Sequence, residues 1–169
     1  MPAVGTTAVV AWAPAANELL DIAAGVDPGV VRPGIPAHAS IAYPFLPAAE
    51  FTPATADTLR GLVGDGGPVA VRLASLISEP GFVGVLVPEL DPVAAAVRRQ
   101  WPQLTPYGGR FGDAPPVHVT VAMGAEPAAA ELIAARAADR LPLVAEVREL
   151  HVVGLTEAGW RPLATVALC

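Results

Sequence analysis

The sequence predicts a mixed helix-and-strand fold built as a pseudo-twofold pair of half-domains, and two observations carry that prediction. The first is a repeated motif. Ala37-His38-Ala39-Ser40-Ile41-Ala42-Tyr43 and Val117-His118-Val119-Thr120-Val121-Ala122-Met123 share one pattern: a histidine, one residue, a small hydroxyl residue, then an apolar run. The second is element order. Residues 1–79 read strand, helix, long loop, histidine strand, helix, strand; residues 80–155 read the same, and a final strand closes the chain. Alternating helices and strands alone would suggest a parallel sheet. The duplicated motif favours paired half-domains instead, within one domain over 1–169, with approximate lobes 1–79 and 80–169 and an exchange of strands between them left open.

Each element has a local reason. Thr6 to Ala13 is β-branched and apolar between Gly5 and Pro14, so it reads as a buried strand. Ala15 to Ala24 spaces Leu19, Leu20, Ile22 and Ala23 for one helical face. Gly25, Pro28, Gly29, Pro33, Gly34 and Pro36 then enforce a loop running into the strand His38 to Ala42, which Pro44 ends. Thr52 as N-cap and Pro53 at the first helical position start a helix to about Val63. Gly64-Asp65-Gly66-Gly67 follows a helix rather than a strand, so it reads as a helix end and not a nucleotide loop.

Val69 to Ile77 and Phe82 to Val87 read as strands separated by a turn at Ser78 to Gly81. Asp91 as N-cap with Pro92 opens a helix to Trp101. A second long loop, Pro102 to Pro116, delivers the chain to the strand Val117 to Met123. A helix over Ala128 to Leu141 and strands over Leu143 to Val153 and Arg161 to Leu168 complete the chain.

Composition excludes several classes. All ten basic residues are arginine, and the net charge of −6 argues against an extensive nucleic-acid surface, whose affinity depends on neutralising many phosphates. A small anionic ligand met by one or two arginines remains compatible with that charge. The sole cysteine, Cys169, is terminal, so there is neither an internal disulfide nor a thiolate cluster for zinc. The first basic residue is Arg32, the N-terminal apolar run is broken by Pro14, and no window approaches a membrane span. The expectation is a soluble, cytoplasmic protein with no membrane and no obligate protein partner.

The motifs carry the chemistry. Successive strand side chains point to opposite faces, so a histidine and the hydroxyl two residues on share a face. Two such strands facing one another present two imidazoles and two hydroxyls to a common cleft. Near-neutral imidazoles on either side of a phosphorus suit attack and departure: one ring takes the proton of the incoming oxygen and the other protonates the leaving oxygen. Ser40 and Thr120 would donate to the non-bridging oxygens as charge builds on them. No acidic third member sits at a triad spacing, so neither hydroxyl needs to be a nucleophile. A metal site is the weaker reading of His38 and His118, because neither motif strand has a nearby Asp, Glu or Cys.

Gly34 to Phe45 (GIPAHASIAYPF), with Pro106 to Asp113 (PYGGRFGD) leading to His118-Val119-Thr120-Val121-Ala122, resembles the two-histidine (2H) phosphoesterase superfamily, and within it the bacterial 2'-5' RNA ligase-like branch. The resemblance covers the whole chain in element order. It implies a bilobal α+β fold with two mostly antiparallel sheets, flanked by helices, around a central groove. It also implies chemistry without metal or other cofactor on 2',3'-cyclic phosphates or related phosphodiesters, with His38 and His118 as the acid-base pair and Ser40 and Thr120 as phosphate-contacting hydroxyls. The chain departs from the branch at Ala39 and Ala42, which lighten the first motif strand, and at Val117, where proline is usual.

Other residues are candidates for binding. Arg110, on a glycine-flanked loop, would clamp a phosphate through its planar fork, or else is a surface arginine. Tyr107 and Tyr43 would stack on a base, with packing beneath the loops the competing role for Tyr43. Trp12, Trp101 and Trp160 read as core or lobe-packing residues, and His151, lacking the hydroxyl two residues on, as structural. The expected function is a cyclic phosphodiesterase acting on a small phosphorylated ligand or RNA end. The alternatives are the same scaffold applied to another small substrate in specialised metabolism, and a nucleotide-binding module without catalysis. RNA ligation is least favoured, since holding two RNA ends needs more positive surface.

Overall fold

A computed structural model describes residues 2–169 of the chain. Its strands are β1 (Thr7–Trp12), β2 (His38–Ala42), β3 (Val69–Leu73), β4 (Leu76–Glu79), β5 (Phe82–Leu86), β6 (His118–Met123), β7 (Leu143–Val147), β8 (Glu149–Thr156) and β9 (Gly159–Ala167). The helices are α1 (Asn17–Val26), α2 (Pro53–Val63), α3 (Asp91–Gln100) and α4 (Pro127–Ala138). Together they form an α+β fold of four helices, a seven-stranded antiparallel sheet and a small two-stranded one.

The large sheet runs β4-β5-β6-β2-β1-β8-β9, and β3 pairs with β7 apart from it. Its two sides join at β2 and β6 through one register pair, Ala39 opposite Val119. Either side of that seam the registers correspond. Trp12 faces His38 and Val10 faces Ser40 on one side; Leu86 faces His118 and Gly84 faces Thr120 on the other. Each pairing also carries an irregularity at the equivalent place, between Val9 and Val10 and between Val83 and Gly84. Outside them, β4 pairs with β5 as a hairpin, whereas β8, from the far end of the chain, pairs with β1 and carries β9 at the edge.

Alternation sorts the two faces of the sheet. Ala39 and Ile41 of β2, Val119 and Val121 of β6, and Val9, Ala11, Val83 and Val85 beside them enter the main core. The helices cover this face: α1 contacts β6 and α3 contacts β2, so each helix packs on the other side's motif strand. Leu19, Leu59, Leu90, Val97 and Ile133 supply the buried helical side chains, and Leu73 and Val147 bring β3 and β7 into the same core. Thr7 is buried there with its hydroxyl donating to the Leu46 carbonyl. The opposite face holds a smaller apolar cluster, Ala8, Val10 and Val153, with Trp12, Tyr43 and Trp160 packed against it.

Local signals held where backbone chemistry fixes them. Thr52 caps α2 through the Thr55 N–H, and Thr55 returns the bond to the Thr52 N–H. The expected strand over 69–77 is instead two, β3 and β4, in different sheets and broken at Ala74 and Ser75. The strand expected over 143–153 likewise divides into β7 and β8 at Arg148. Asp91 is the first helical residue of α3 rather than its N-cap, and its carboxylate is engaged elsewhere. Among the described residues no helix is long and apolar enough to cross a membrane.

Candidate active site

Alternation places the motif side chains. Along β2, Ala39 and Ile41 are buried while His38 and Ser40 are only partly so; along β6, Val119 and Val121 are buried while His118 and Thr120 are partly so. The four polar side chains therefore share the sheet face that the helices leave open. Because β2 and β6 are neighbours meeting at Ala39 and Val119, the histidines that precede those residues come from adjacent antiparallel strands. They are close enough for the His118 charge to act on His38.

Both rings are oriented by the same hydrogen bond. His38 Nδ1 lies 2.9 Å from the Pro36 carbonyl oxygen, and His118 Nδ1 lies 3.0 Å from that of Pro116. A carbonyl oxygen can only accept, so Nδ1 carries the proton in each neutral ring. Nε2 is left as the acceptor on both, which is the tautomer a proton-accepting histidine needs and the atom from which the imidazolium form donates. Aromatic edges buttress the rings. Trp12 meets His38 at 5.8 Å between centroids, and Phe82 meets His118 at 5.6 Å, both near perpendicular. Burial holds the His38 pKa below the ordinary histidine value; the Arg32 and His118 charges push the same way, and the bond to the Pro36 carbonyl opposes them.

Tyr107 spans the two motif strands. Its ring stacks on His118 at 6.2 Å and 27°, packs against Tyr43 at 5.8 Å, and its N–H donates to the Tyr43 carbonyl at 2.8 Å. It holds φ 51°, the left-handed region that a bulky side chain occupies only when its surroundings compel it. The following Gly108 and Gly109, at φ 65° and 83°, carry the turn onward where any Cβ would be strained. Burial raises the Tyr107 phenol above its usual pKa, with the Ser40 hydroxyl opposing the shift. Ser40, Tyr43 and Tyr107 line one cavity, with Pro106 and Pro116 beside them.

The remaining sequence candidates separate. Tyr43 joins the aromatic cluster with Tyr107 and Trp160, the latter at 6.5 Å. Arg110 is exposed, its guanidinium 5.5 Å from the centre of the Phe111 ring. His151 is engaged on both nitrogens, Nε2 to Glu149 at 3.2 Å and Nδ1 to Thr165 at 3.3 Å, and also packs against Trp12. Among the described residues no three His, Cys, Asp or Glu side chains gather as a metal site would require. Sequence reasoning did not single out Phe82, and it read Trp12 as packing only, although Trp12 touches His38. Asn17 was also passed over, and Asp91 was read only as a helix N-cap. Their signal was present: each follows a strand-ending proline by three residues, Pro14 and Pro88.

Comparison with known proteins bears on the whole chain. The model of the 2'-5' RNA ligase superfamily matches residues 11–158. No curated protein matches at a significant level. Among solved structures, E. coli LigT complexed with 3'-AMP is 18% identical, with a TM-score of 0.56 over 98% of this chain and 99% of that one. TT0787 of Thermus thermophilus is 15% identical, with a TM-score of 0.62 over 96% of this chain and 97% of that one. A structure described only as a phosphoesterase is 18% identical, with a TM-score of 0.53 over 98% and 99%. At these identities the likeness is one of fold, while the family match spans most of the sequence and both histidine motifs. The chain belongs to the 2'-5' RNA ligase superfamily, the two-histidine phosphoesterases.

Proposed function

We propose that this protein is a phosphodiesterase, independent of metal and cofactor, that opens 2',3'-cyclic phosphates of nucleotides or short RNA ends. The observation that carries the reading is the pair of equivalent histidines on adjacent strands, each with Nδ1 bound to a carbonyl and Nε2 free. One ring takes a proton from water as the water oxygen bonds to phosphorus. The other, entering the step as the imidazolium, gives its Nε2 proton to the ribose oxygen as that oxygen's bond to phosphorus breaks, leaving a phosphate monoester. Ser40 and Thr120 donate to the non-bridging oxygens, where charge accumulates in the transition state. Each side of the large sheet, β2-β1-β8-β9 and β4-β5-β6, supplies one histidine and one hydroxyl.

Tyr107 and Tyr43 flank the site as apolar surfaces for a base, and Arg110 on the same loop as Tyr107 reaches for a phosphate. The complex of LigT with 3'-AMP, a nucleoside monophosphate, supports a small phosphorylated ligand here. The test is a panel of the four 2',3'-cyclic nucleotides followed by phosphorus NMR, with and without chelator. Conversion to a monoester, unaffected by chelator, is expected. Affinity by calorimetry without turnover would instead mark a binding module, and turnover lost to chelator would contradict the metal-independent route.

A further inference from the structure

Each histidine strand is tied to a helix one residue before its histidine. The Ala37 N–H donates to Asn17 Oδ1 at 2.8 Å, and the Val117 N–H donates to Asp91 Oδ1 at 2.8 Å. Asn17 is the first residue of α1 and Asp91 the first of α3. The carbonyls of the same two residues are also taken: Ala13 N–H donates to Ala37 and Val87 N–H to Val117, both at 2.8 Å. Ala37 and Val117 are buried, so water does not substitute for these partners.

The N–H that binds Asn17 and the Pro36 carbonyl that binds His38 belong to one peptide unit, which is planar and rigid. The same holds for Asp91, the 116–117 peptide and His118. Fixing the N–H end of that plane fixes the direction of the carbonyl at its other end. That carbonyl in turn sets the ring orientation and tautomer of the histidine. The arrangement occurs twice, at equivalent points, with different side-chain chemistry. What the two share is an acceptor oxygen in the same place. A proline at 117 has no N–H to give and would leave Asp91 without this contact.

We propose that Asn17 and Asp91 are positioning residues that orient His38 and His118 through the 36–37 and 116–117 peptide planes. The activity readout rests on the proposed phosphodiesterase reading; the spectroscopic one does not. Asn17→Leu and Asp91→Leu remove the acceptor, whereas Asn17→Asp and Asp91→Asn keep an oxygen at its place. With 2',3'-cyclic AMP, each Leu variant should lose on the order of 100-fold in kcat with KM nearly unchanged, because the ring is misdirected rather than absent. The conservative variants should recover most of that loss. Nitrogen-proton NMR of the imidazoles should show the Nδ1–H tautomer for both rings in the parent, with mixed tautomers for His118 alone in Asp91→Leu and for His38 alone in Asn17→Leu.

Should a Leu variant not fold, Asn17→Ser or Asp91→Ser, which keep a polar but shorter side chain at the helix start, replaces it under the same criteria. Unchanged ring tautomers in folded variants, or equal loss of kcat in conservative and Leu variants, would overturn the proposal. If the parent turns over none of the cyclic nucleotides, the phosphodiesterase reading fails, and the ring tautomers alone decide this one.

Discussion

Thr120 stands directly across the β5–β6 ladder from Gly84, the one position in β5 without a side chain. A Cβ at Gly84 would lie 2.9 Å from the Phe82 ring and 3.2 Å from the Val119 carbonyl oxygen. Phe82 packs edge-on against His118, so what displaces it reaches the site. Gly84→Ala is expected to cost about 1–3 kcal/mol of stability, the usual effect of overpacking. It should also lower kcat by roughly tenfold through the displaced His118 buttress. Denaturant midpoints and initial rates on one preparation check both effects.

His38 gives the pH dependence its sign. Burial holds its pKa in the folded protein below 6.5, aided by the Arg32 and His118 charges. The unfolded chain therefore takes up a proton near 6.5, where the folded protein does not. Stability is expected to fall as pH is lowered through 6.5, and the fall is complete once pH is below the folded value. His38→Gln should remove this component from a melting series against pH. With neutral His38 as the proton acceptor, the acidic limb of kcat/KM lies below 6.5, and Arg32→Gln should move it upward by removing a like charge.

On the proposed reading, Ser40→Ala and Thr120→Ala each remove one donor to a non-bridging oxygen. Losses of roughly 10- to 1,000-fold in kcat are expected from each, in the range seen for single donors aimed at developing negative charge. Thr120→Ser keeps the donor and should retain most of the rate. The measurement is kcat and KM for the three variants, with near-parental melting temperatures as the check that the fold persists.

Thr7 provides a contrast away from the chemistry. Its buried hydroxyl donates to the Leu46 carbonyl, which Thr7→Val leaves without that partner. A loss of about 1–3 kcal/mol in stability is expected, with kcat unchanged, since Thr7 lies at the far end of β1 from the Trp12 that touches His38. Urea unfolding and a rate measurement separate the two.

The paired histidine motifs were legible because strand alternation and a repeated hydroxyl are local properties of the chain. Thr52 and Pro53 marked a helix start for the same reason. What escaped was non-local. The apolar run over 69–77 gives no sign that its halves join different sheets, because partner choice is set by the tertiary fold. Asp91 beside Pro92 has the look of an N-cap, yet its carboxylate binds the N–H of Val117 instead. That contact also gives a structural role to the departure at 117: valine has the N–H that proline lacks. Tyr107 was suspected as a base-stacking residue, but its stacking on His118 depends on a loop whose backbone angles no residue pattern predicts.

The central claim is that His38 and His118 act together on one phosphodiester. It is tested most directly by the initial rate of His38→Ala and His118→Ala against the parent on whichever 2',3'-cyclic nucleotide the parent opens fastest. Removal of either acid-base group is expected to lower kcat by at least about 100-fold, with the fold intact by circular dichroism. A parental rate in either variant would contradict the account.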